Sequence, residues 1–519
     1  MKHVNFLALL IGLISMSCCA PKDEMSDLPN IVIIYTDDQG YGDVGALNPE
    51  AKFRTPNIDK IAKEGLIFTD GHSSDAVCSP SRYTLLTGRY SWRTRLKKGV
   101  LGADGPCLIE KDRTTIASLL KSKGYNTAMV GKWHLQMEFA GSLGKDRDWS
   151  QAFSDGPIEK GFDYFFGLPA SMNFGILTFL ENDRVLDAPV LWTRKKNDIT
   201  PRTYRMTPPY QKAQSGARDV EVAPSFNDEI VLETFAQKAV EYINTSAQKA
   251  QPFFLYYALT SPHLPHCTHP DFQGRSACGN YGDFMEETDY RIGQVLDALE
   301  NNGLTDNTLV IFSSDNGAES NYVYQRDTYQ HYSCLHFKGG KRDIYEGGHR
   351  VPFLMRWPAK IKSGSIINIP VCQSDVLATI ADIVAYELPD NAGEDSYSLY
   401  PLLKGESSEA LEQRALVHHS SEGYFAIRQG PWKLNLLRGS GGSLKPRLIQ
   451  PKEGEAIFEL YNIEEDPSET TNLYFEHPEI VNELKSKLSE IILSGRSTEG
   501  PADNDVDTTD WKQIRAIIN

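Results

Sequence analysis

The chain has 519 residues, 40% of them hydrophobic and 24% charged. That length exceeds what one ordinary core organises, so two domains, or one large α/β domain with an appendage, are expected of this soluble globular composition. The net charge of −16 argues against general nucleic-acid binding. It leaves an anionic substrate open, because local charge in a cleft outweighs the surface sum.

Residues 1–20 read as an export signal: Lys2 and His3, an apolar run from Phe6 to Ile14, then small residues leading to Cys18 and Cys19. The run is too short to span a bilayer. A cysteine at that point suggests a lipoprotein-type signal over residues 1–18, with Cys18 acylated. The chain is then expected in the periplasm or at the outer membrane or cell surface of a Gram-negative bacterium, touching membrane only through that anchor. The remaining cysteines, Cys78, Cys107, Cys267, Cys278, Cys334 and Cys372, are scattered. They do not look like a disulfide framework, although Cys267 and Cys278 could close one loop. No Cys-x-x-Cys pair suggests structural zinc.

Ile31-Val32-Ile33-Ile34-Tyr35 predicts a strand buried on both faces, running into Asp37 and Asp38. Two carboxylates at the carboxyl end of such a strand sit where open α/β sheets place ligands; the same residues also suit a solvated turn. A short amphipathic helix follows (Ile58, Ile61, Ala62, with Gly65 as its stop), then a strand at Ile67-Phe68-Thr69. Cys78-Ser-Pro-Ser-Arg82-Tyr-Thr-Leu-Leu-Thr-Gly-Arg89 offers a thiol with a cation four residues on, ahead of a helix-like Leu85–Leu86 segment. Thr114 and Thr115 can cap a helix through Leu120 that stops at Gly124. The strand Thr127–Val130 then delivers Gly131-Lys132-Trp133-His134, where alternation would put Lys132 and His134 on one face.

From Ala140 to Asn227 the periodicity weakens, which reads as a functional loop region outside the core. Helical spacing resumes from Asp228 to Asn244, and the strand Phe253–Leu259 ends in Ser261-Pro262-His263. A helix through Ile292, Val295 and Leu299 precedes the strand Leu309–Phe312, which ends in Asp315-Asn316-Gly317. Strand–helix alternation implies a parallel sheet with helices on both faces and the four polar clusters at one end. Gly339-Gly340-Lys341 and Tyr345–Arg350 form a glycine-rich loop, Val351–Met355 returns to the sheet, and Asp375–Ala385 looks helical. Beyond Arg414, short strand-like pieces and a helix from Pro478 to Leu493 suggest a small second subdomain.

Asp37, Asp38, Asp315 and Asn316 are oxygen ligands suited to a hard divalent cation, Ca²⁺ or Mg²⁺, and the shortage of histidine ligands disfavours zinc. Arg82, Lys132 and Lys341 are the cations a tetrahedral oxyanion needs, and His134 and His263 can share acid and base roles.

These residues carry a resemblance. Cys-x-Pro-Ser-Arg followed by Leu-Thr-Gly-Arg is similar to the activation signature of the type I sulfatases, and Asp37-Asp38, Gly131–His134, Pro262-His263, Asp315–Gly317 and Lys341 with Tyr345–Gly348 occur in that family in this order. The resemblance runs from about Asn30 to Leu493, and is closest to the arylsulfatase A-like and carbohydrate sulfatase branches. It implies an alkaline-phosphatase-like α/β fold: a mixed, mostly parallel sheet flanked by helices, with a smaller C-terminal antiparallel sheet plus helix. The corresponding division is a catalytic domain over residues 28–413 and a C-terminal subdomain over 414–519. It further implies that Cys78 is converted to formylglycine by a maturation enzyme, and that Ca²⁺, with Mg²⁺ the lesser candidate, is held by Asp37, Asp38, Asp315, Asn316 and the modified Cys78. Arg82 would stabilise the formylglycine hydrate, and Asp315 would assist its attack on sulfur. Lys132 and Lys341 would offset charge on the sulfate, His263 with Lys341 would protonate the leaving alcohol, and His134 would release sulfate. Arg342-Asp343-Ile344 and His349 depart from the common family pattern and are expected at the pocket rim.

The expected activity is hydrolysis of sulfate esters on a sulfated glycan of mucin or glycosaminoglycan type, with a galactose or N-acetylgalactosamine sulfate as the suggested unit. Two alternatives stay open: a phosphodiesterase or phosphonate hydrolase of the same superfamily, and a catalytically dead glycan-binding lipoprotein. Glu181–Arg184, His418, His419 and Arg428 are candidate sugar contacts.

Overall fold

The structure, a computed structural model, describes residues 28–142, 146–173, 175–194, 211–213 and 219–502. The expected export signal over residues 1–20 and residues 503–519 lie outside them. The central strand Asn30–Asp37 pairs in parallel with Phe253–Pro262 on one side and Thr308–Ser314 on the other. Asn126–Lys132 and then Tyr164–Leu168 extend the parallel set beyond Phe253–Pro262. Among the described residues the sheet has ten strands, and its flanks turn antiparallel: Phe353–Arg356 against Thr308–Ser314 on one side, Leu180–Glu181 against Tyr164–Leu168 on the other. The expected mixed, mostly parallel α/β architecture is what forms.

Side-chain alternation along the central strand divides the interior into two layers. Ile31, Ile33 and Tyr35 pack into one apolar cluster, with residues of the helices Cys78–Thr87, Ile116–Ser122 and Asp375–Ile383. Val32 and Ile34 pack into the other, with residues of Pro56–Glu64, Val231–Ser246 and Gly279–Asn301. A strand covered on both faces has no polar side to show, which is why it reads as an unbroken β-branched run. Gly131 sits where the strand approaches its neighbour so closely that a Cβ would lie 1.8 Å from the Ala258 carbonyl oxygen, and its φ is +124°.

Three sequence readings change. The Ala140–Asn227 stretch is not wholly outside the core: Tyr164–Leu168 is an inner parallel strand, and Phe162 and Phe165 are buried in the main cluster. Its aromatic run masks the strand because apolar residues there face both layers. Cys267 and Cys278 form no disulfide: Cys267 Sγ donates to Asp228, and Cys278 packs beside Phe53 and Tyr281. The small sheet begins at Ala415–His419, one strand before Tyr424–Arg428, the first piece that the sequence suggests. Its order is Ala415–His419, Phe425–Gln429, Trp432–Asn435, Glu459–Asn462, all antiparallel, and the helix Pro478–Leu493 covers it.

The small sheet is fastened to the large one. Tyr90 and Trp92 enter its apolar core. Arg93 forks onto Asp395 with two 2.8 Å bonds and also donates to the Ile491 carbonyl, at 3.2 Å, near the end of the last helix. Burial alone would raise the Asp395 carboxyl, but Arg93 outweighs it and holds the group below its ordinary value. Asp395→Ala leaves the guanidinium buried and unpaired, and is expected to cost about 3–5 kcal/mol, read as a fall in the denaturant midpoint at neutral pH. A carboxylate depressed on folding contributes stability above its unfolded value of about 3.9 and loses it as pH falls through the folded value. The gap between wild type and Asp395→Ala should therefore narrow on acidification below about pH 4.

Candidate active site

The carboxyl ends of Asn30–Asp37, Asn126–Lys132, Phe253–Pro262 and Thr308–Ser314 deliver the expected clusters to one place. Asp37 ends the central strand, and Lys132 ends its second neighbour. Pro262 ends the strand between them, with His263 one residue on, and Asp315 follows Thr308–Ser314. Cys78 is the first residue of the helix Cys78–Thr87, so Arg82, four residues on, lies one turn away on the same face.

Three carboxylate–cation pairs are sealed here. Lys132 Nζ donates to Asp37 at 2.5 Å and Lys341 Nζ to Asp38 at 2.7 Å. Arg82 donates through Nε and Nη2 to Asp315 Oδ2 at 3.0 and 2.7 Å, and through Nη1 to the Lys132 carbonyl at 3.2 Å. Cys78 Sγ lies 3.5 Å from Asp37 Oδ1, and His263 Nε2 lies 3.7 Å from Asp38 Oδ2. Ligand atoms of Asp37, Asp38, Cys78 and His263 all fall within 4.8 Å of one another.

Burial, and then the nearby Asp315, push the Asp37 carboxyl up to about 7 against the pull of Lys132. Burial likewise raises Asp38, with Lys341 opposing. Asp315 goes the other way: burial would raise it, but Arg82, Lys132 and Lys341 together hold it below the usual carboxylate range. Burial raises the Cys78 thiol, and Asp315 adds to it. An unmodified thiol here is therefore protonated and a poor nucleophile. Burial and the adjacent lysines hold both His134 and His263 well below the ordinary histidine value.

The donor set fits a hard cation. Asn316 donates through Nδ2 to Asp38 Oδ1 at 2.8 Å, while its Oδ1 is a buried acceptor with no partner among the described residues. Two carboxylates raised by burial, beside an orphaned amide oxygen, suit Ca²⁺ or Mg²⁺, which take oxygen ligands. Asp315 is partly committed elsewhere, since Arg82 occupies Oδ2 and the Asp38 N–H is 3.1 Å from Oδ1.

The reason given for pairing Lys132 with His134 does not hold, although both residues reach the site. The strand stops at Lys132, and His134 has a φ of +61°, so strand alternation does not extend to it. Asp38, at +68°, shares this left-handed conformation. Such geometry in non-glycine residues marks strain held by the surroundings. His134 donates Nε2–H to the Leu101 carbonyl at 3.0 Å, which leaves Nδ1 as its basic atom. His263 Nδ1–H points to the Leu264 carbonyl, which leaves Nε2 facing Asp38.

A cavity of about 790 Å³ opens over Cys78, His134, His263 and Lys341. Sequence reasoning missed Glu319, Asn173, His266 and Tyr324 in its wall. Periodicity carries no signal for them, because each sits in a loop or a short helix. The proposed sugar contacts are misplaced. His418 is buried and stacks on His349 at 3.9 Å, Arg428 forks onto Asp70, and His419 is buried beside Phe425. Glu181 pairs with Tyr164 and Lys238, and Asp183 and Arg184 lie at the far edge of the large sheet. His349 is interior, 3.0 Å from His72, so of the two departures from the family pattern only Arg342 reaches the rim.

The chain matches the family model described as Sulfatase over residues 29–386, and the model described as N-sulphoglucosamine sulphohydrolase, C-terminal, over residues 336–494. It is 30% identical to the N-acetylgalactosamine-6-O-sulfatase of Bacteroides thetaiotaomicron, across 95% of this chain and 99% of that one. It is also 30% identical to the N-acetylgalactosamine-6-sulfatase of Mus musculus, across 79% and 72% of the two chains. A solved Bacteroides thetaiotaomicron structure, described under metabolism of multiple glycosaminoglycans, superposes with a TM-score of 0.76 at 29% identity, covering 90% of this chain and 99% of that one. A phosphonate monoester hydrolase of Agrobacterium radiobacter shares the fold, with a TM-score of 0.56 at 18% identity over 90% and 96% of the two chains. With motifs, sheet and both family models in agreement, the chain belongs to the sulfatase family and is a sulfuric ester hydrolase.

Proposed function

We propose that this enzyme removes sulfate from O-sulfated sugars of mucin- or glycosaminoglycan-type glycans, through Cys78 oxidised to formylglycine by a separate maturation enzyme. The observation that carries this reading is the convergence of Cys78, Asp37, Asp38 and His263 within 4.8 Å, ringed by Arg82, Lys132 and Lys341. The two relatives named for N-acetylgalactosamine 6-sulfate support the sugar class. A cavity of about 790 Å³ has room for a sugar unit.

Asp37, Asp38 and Asn316, with Asp315 and residue 78 beside them, would hold Ca²⁺, which supplies positive charge to sulfate oxygens. A formylglycine hydrate supplies two hydroxyls on one carbon, one to attack sulfur and one whose later deprotonation releases sulfate. Arg82, fixed on Asp315, keeps a positive charge one helical turn from residue 78. Asp315 is the nearby base for the attacking hydroxyl. Lys132 and Lys341 balance charge on the sulfuryl oxygens at the buried floor of the cavity. His263 Nε2, with Lys341 beside it, passes a proton to the departing sugar oxygen. Burial first, and then the charge of Lys341 and Lys132, hold the ring neutral in the free site; a bound anionic ester offsets the lysine part and shifts the ring toward its protonated form. His134, basic at Nδ1, takes the proton whose loss frees sulfate. From the pattern of residues 1–20 we place the enzyme in an exported compartment, anchored through Cys18.

Cys78→Ala is expected to lower sulfate release from a panel of monosulfated sugars by about 10⁴-fold or more, with an unchanged melting temperature. Near-wild-type turnover rejects the assignment, and phosphate release in place of sulfate release selects the phosphonate-hydrolase alternative. Mass spectrometry of the wild-type peptide carrying residue 78 should show the aldehyde. Chelation of divalent cations should lower the melting temperature of the wild-type protein and Ca²⁺ should restore it, because a ligand bound only by the folded state stabilises it. Asp38→Ala should make the melting temperature insensitive to both.

A further inference from the structure

Arg342 follows catalytic Lys341 directly, yet none of the steps above uses it. Its φ is +83°, a conformation that suits glycine and strains any L side chain. The backbone is held there from both sides. Its N–H donates to the Ala76 carbonyl at 2.7 Å, two residues before Cys78, and its own carbonyl accepts from the Ser421 N–H at 3.1 Å. Gly442 packs so closely on that carbonyl that a Cβ would lie 2.1 Å from the oxygen. A glycine at 342 would relieve the strain and keep both backbone bonds, so the backbone gives no reason for an arginine.

The side chain supplies one. Nη1 and Nη2 donate to the two carboxylate oxygens of Glu319 at 2.6 and 2.9 Å, and both residues line the cavity above Cys78. Glu319 is mostly enclosed, with its side chain 11% exposed; that of Arg342 is 36% exposed. Burial would raise the Glu319 carboxyl, but Lys341 and Arg342 outweigh it and keep the group ionised. The pair is therefore neutral as a unit and rigid as a fork. An arginine has five N–H donors. Two serve Glu319, and among the described residues the guanidinium has no other acceptor.

Resting on the sulfatase reading, we propose that Arg342 selects the substrate: its remaining N–H groups donate to a neutral oxygen, a hydroxyl or amide carbonyl, on the sugar ring that bears the scissile sulfate. Lys341 faces the sulfate, and Arg342, one residue further along a locked loop, faces the ring. Because Glu319 already cancels its charge, the fork reads a directional acceptor and has little pull on a second anion.

The test measures kcat/KM on the monosulfated sugar that wild type desulfates fastest, and on its monodeoxy or de-acetylated analogues, one substituent removed at a time. Arg342→Gly should lower kcat/KM on the parent sugar about 10- to 100-fold. One analogue should cost the wild type the same factor and cost Arg342→Gly almost nothing further, which identifies the contacted oxygen. Arg342→Lys, which keeps the charge and loses the fork, should stay close to Arg342→Gly. Should Arg342→Gly fold poorly because Glu319 keeps only Lys341, at 3.7 Å, as its cation, the double variant Arg342→Gly/Glu319→Gln removes both charges and is read in the same way. Undiminished activity of the variant on the parent sugar overturns the proposal. So does an equal further loss on every analogue, or a loss confined to sugars with a second sulfate or carboxylate. Failure of wild type to release sulfate from any sugar strikes the proposed function itself, and is distinct from these outcomes.

Discussion

Three carboxylates and three cations, each pair closed off from water, set the conditions for the rest of this protein. Asp37 with Lys132, Asp38 with Lys341, and Asp315 with Arg82 are all buried. A single unpaired charge at such depth costs several kcal/mol, so the six must assemble together. They come from chain segments as far apart as residues 37 and 341, and only the finished sheet brings them within reach. Assembly of the fold and assembly of the site are therefore one event. The left-handed backbone of Asp38, His134 and Arg342 is a local consequence of meeting those positions.

The small C-terminal sheet takes part in this. The segment before Cys78 lies along Ala415–His419, with the Ala76 N–H on the His419 carbonyl and the His419 N–H on the Ser74 carbonyl. Asp343 accepts from the Ser443 and Leu444 N–H groups on one oxygen and from Gly340 on the other. The loop carrying Lys341 and the approach to residue 78 are thus both tied to the same small sheet. A buried polar cluster beneath them, with His72, His349 and His418 among Asp70, Glu346 and Lys433, locks the junction further. Residues that look like surface sugar contacts in the sequence serve in this junction.

The chemistry follows from the same enclosure. A thiol held protonated by burial does little as it stands, whereas a hydrated aldehyde at that position would meet a ready set of fixed charges. Cations already oriented by their carboxylates need little rearrangement when a tetrahedral anion arrives, which is the economy of a preorganised site. Selectivity is a separate matter, and we propose for it the cavity wall, where Glu319 and Arg342 stand.

By itself the sequence determined most of the elements and the family to which the chain belongs. The β-branched run Ile31–Tyr35 announces a strand covered on both faces, Gly65 and Gly124 mark helix stops, and the Cys78–Arg89 motif with its downstream clusters marks the residues that meet in the site. These are legible because local periodicity and residue type carry them. Only the tertiary structure decided that His134 reaches the site through a left-handed turn, that Tyr164–Leu168 joins the inner sheet, that His349, His418 and Arg428 are interior, and that Glu319 clamps Arg342 over the cavity. Each of these depends on pairing between segments distant in the chain, and side-chain direction after a strand end, or burial of a histidine, leaves no trace in local spacing.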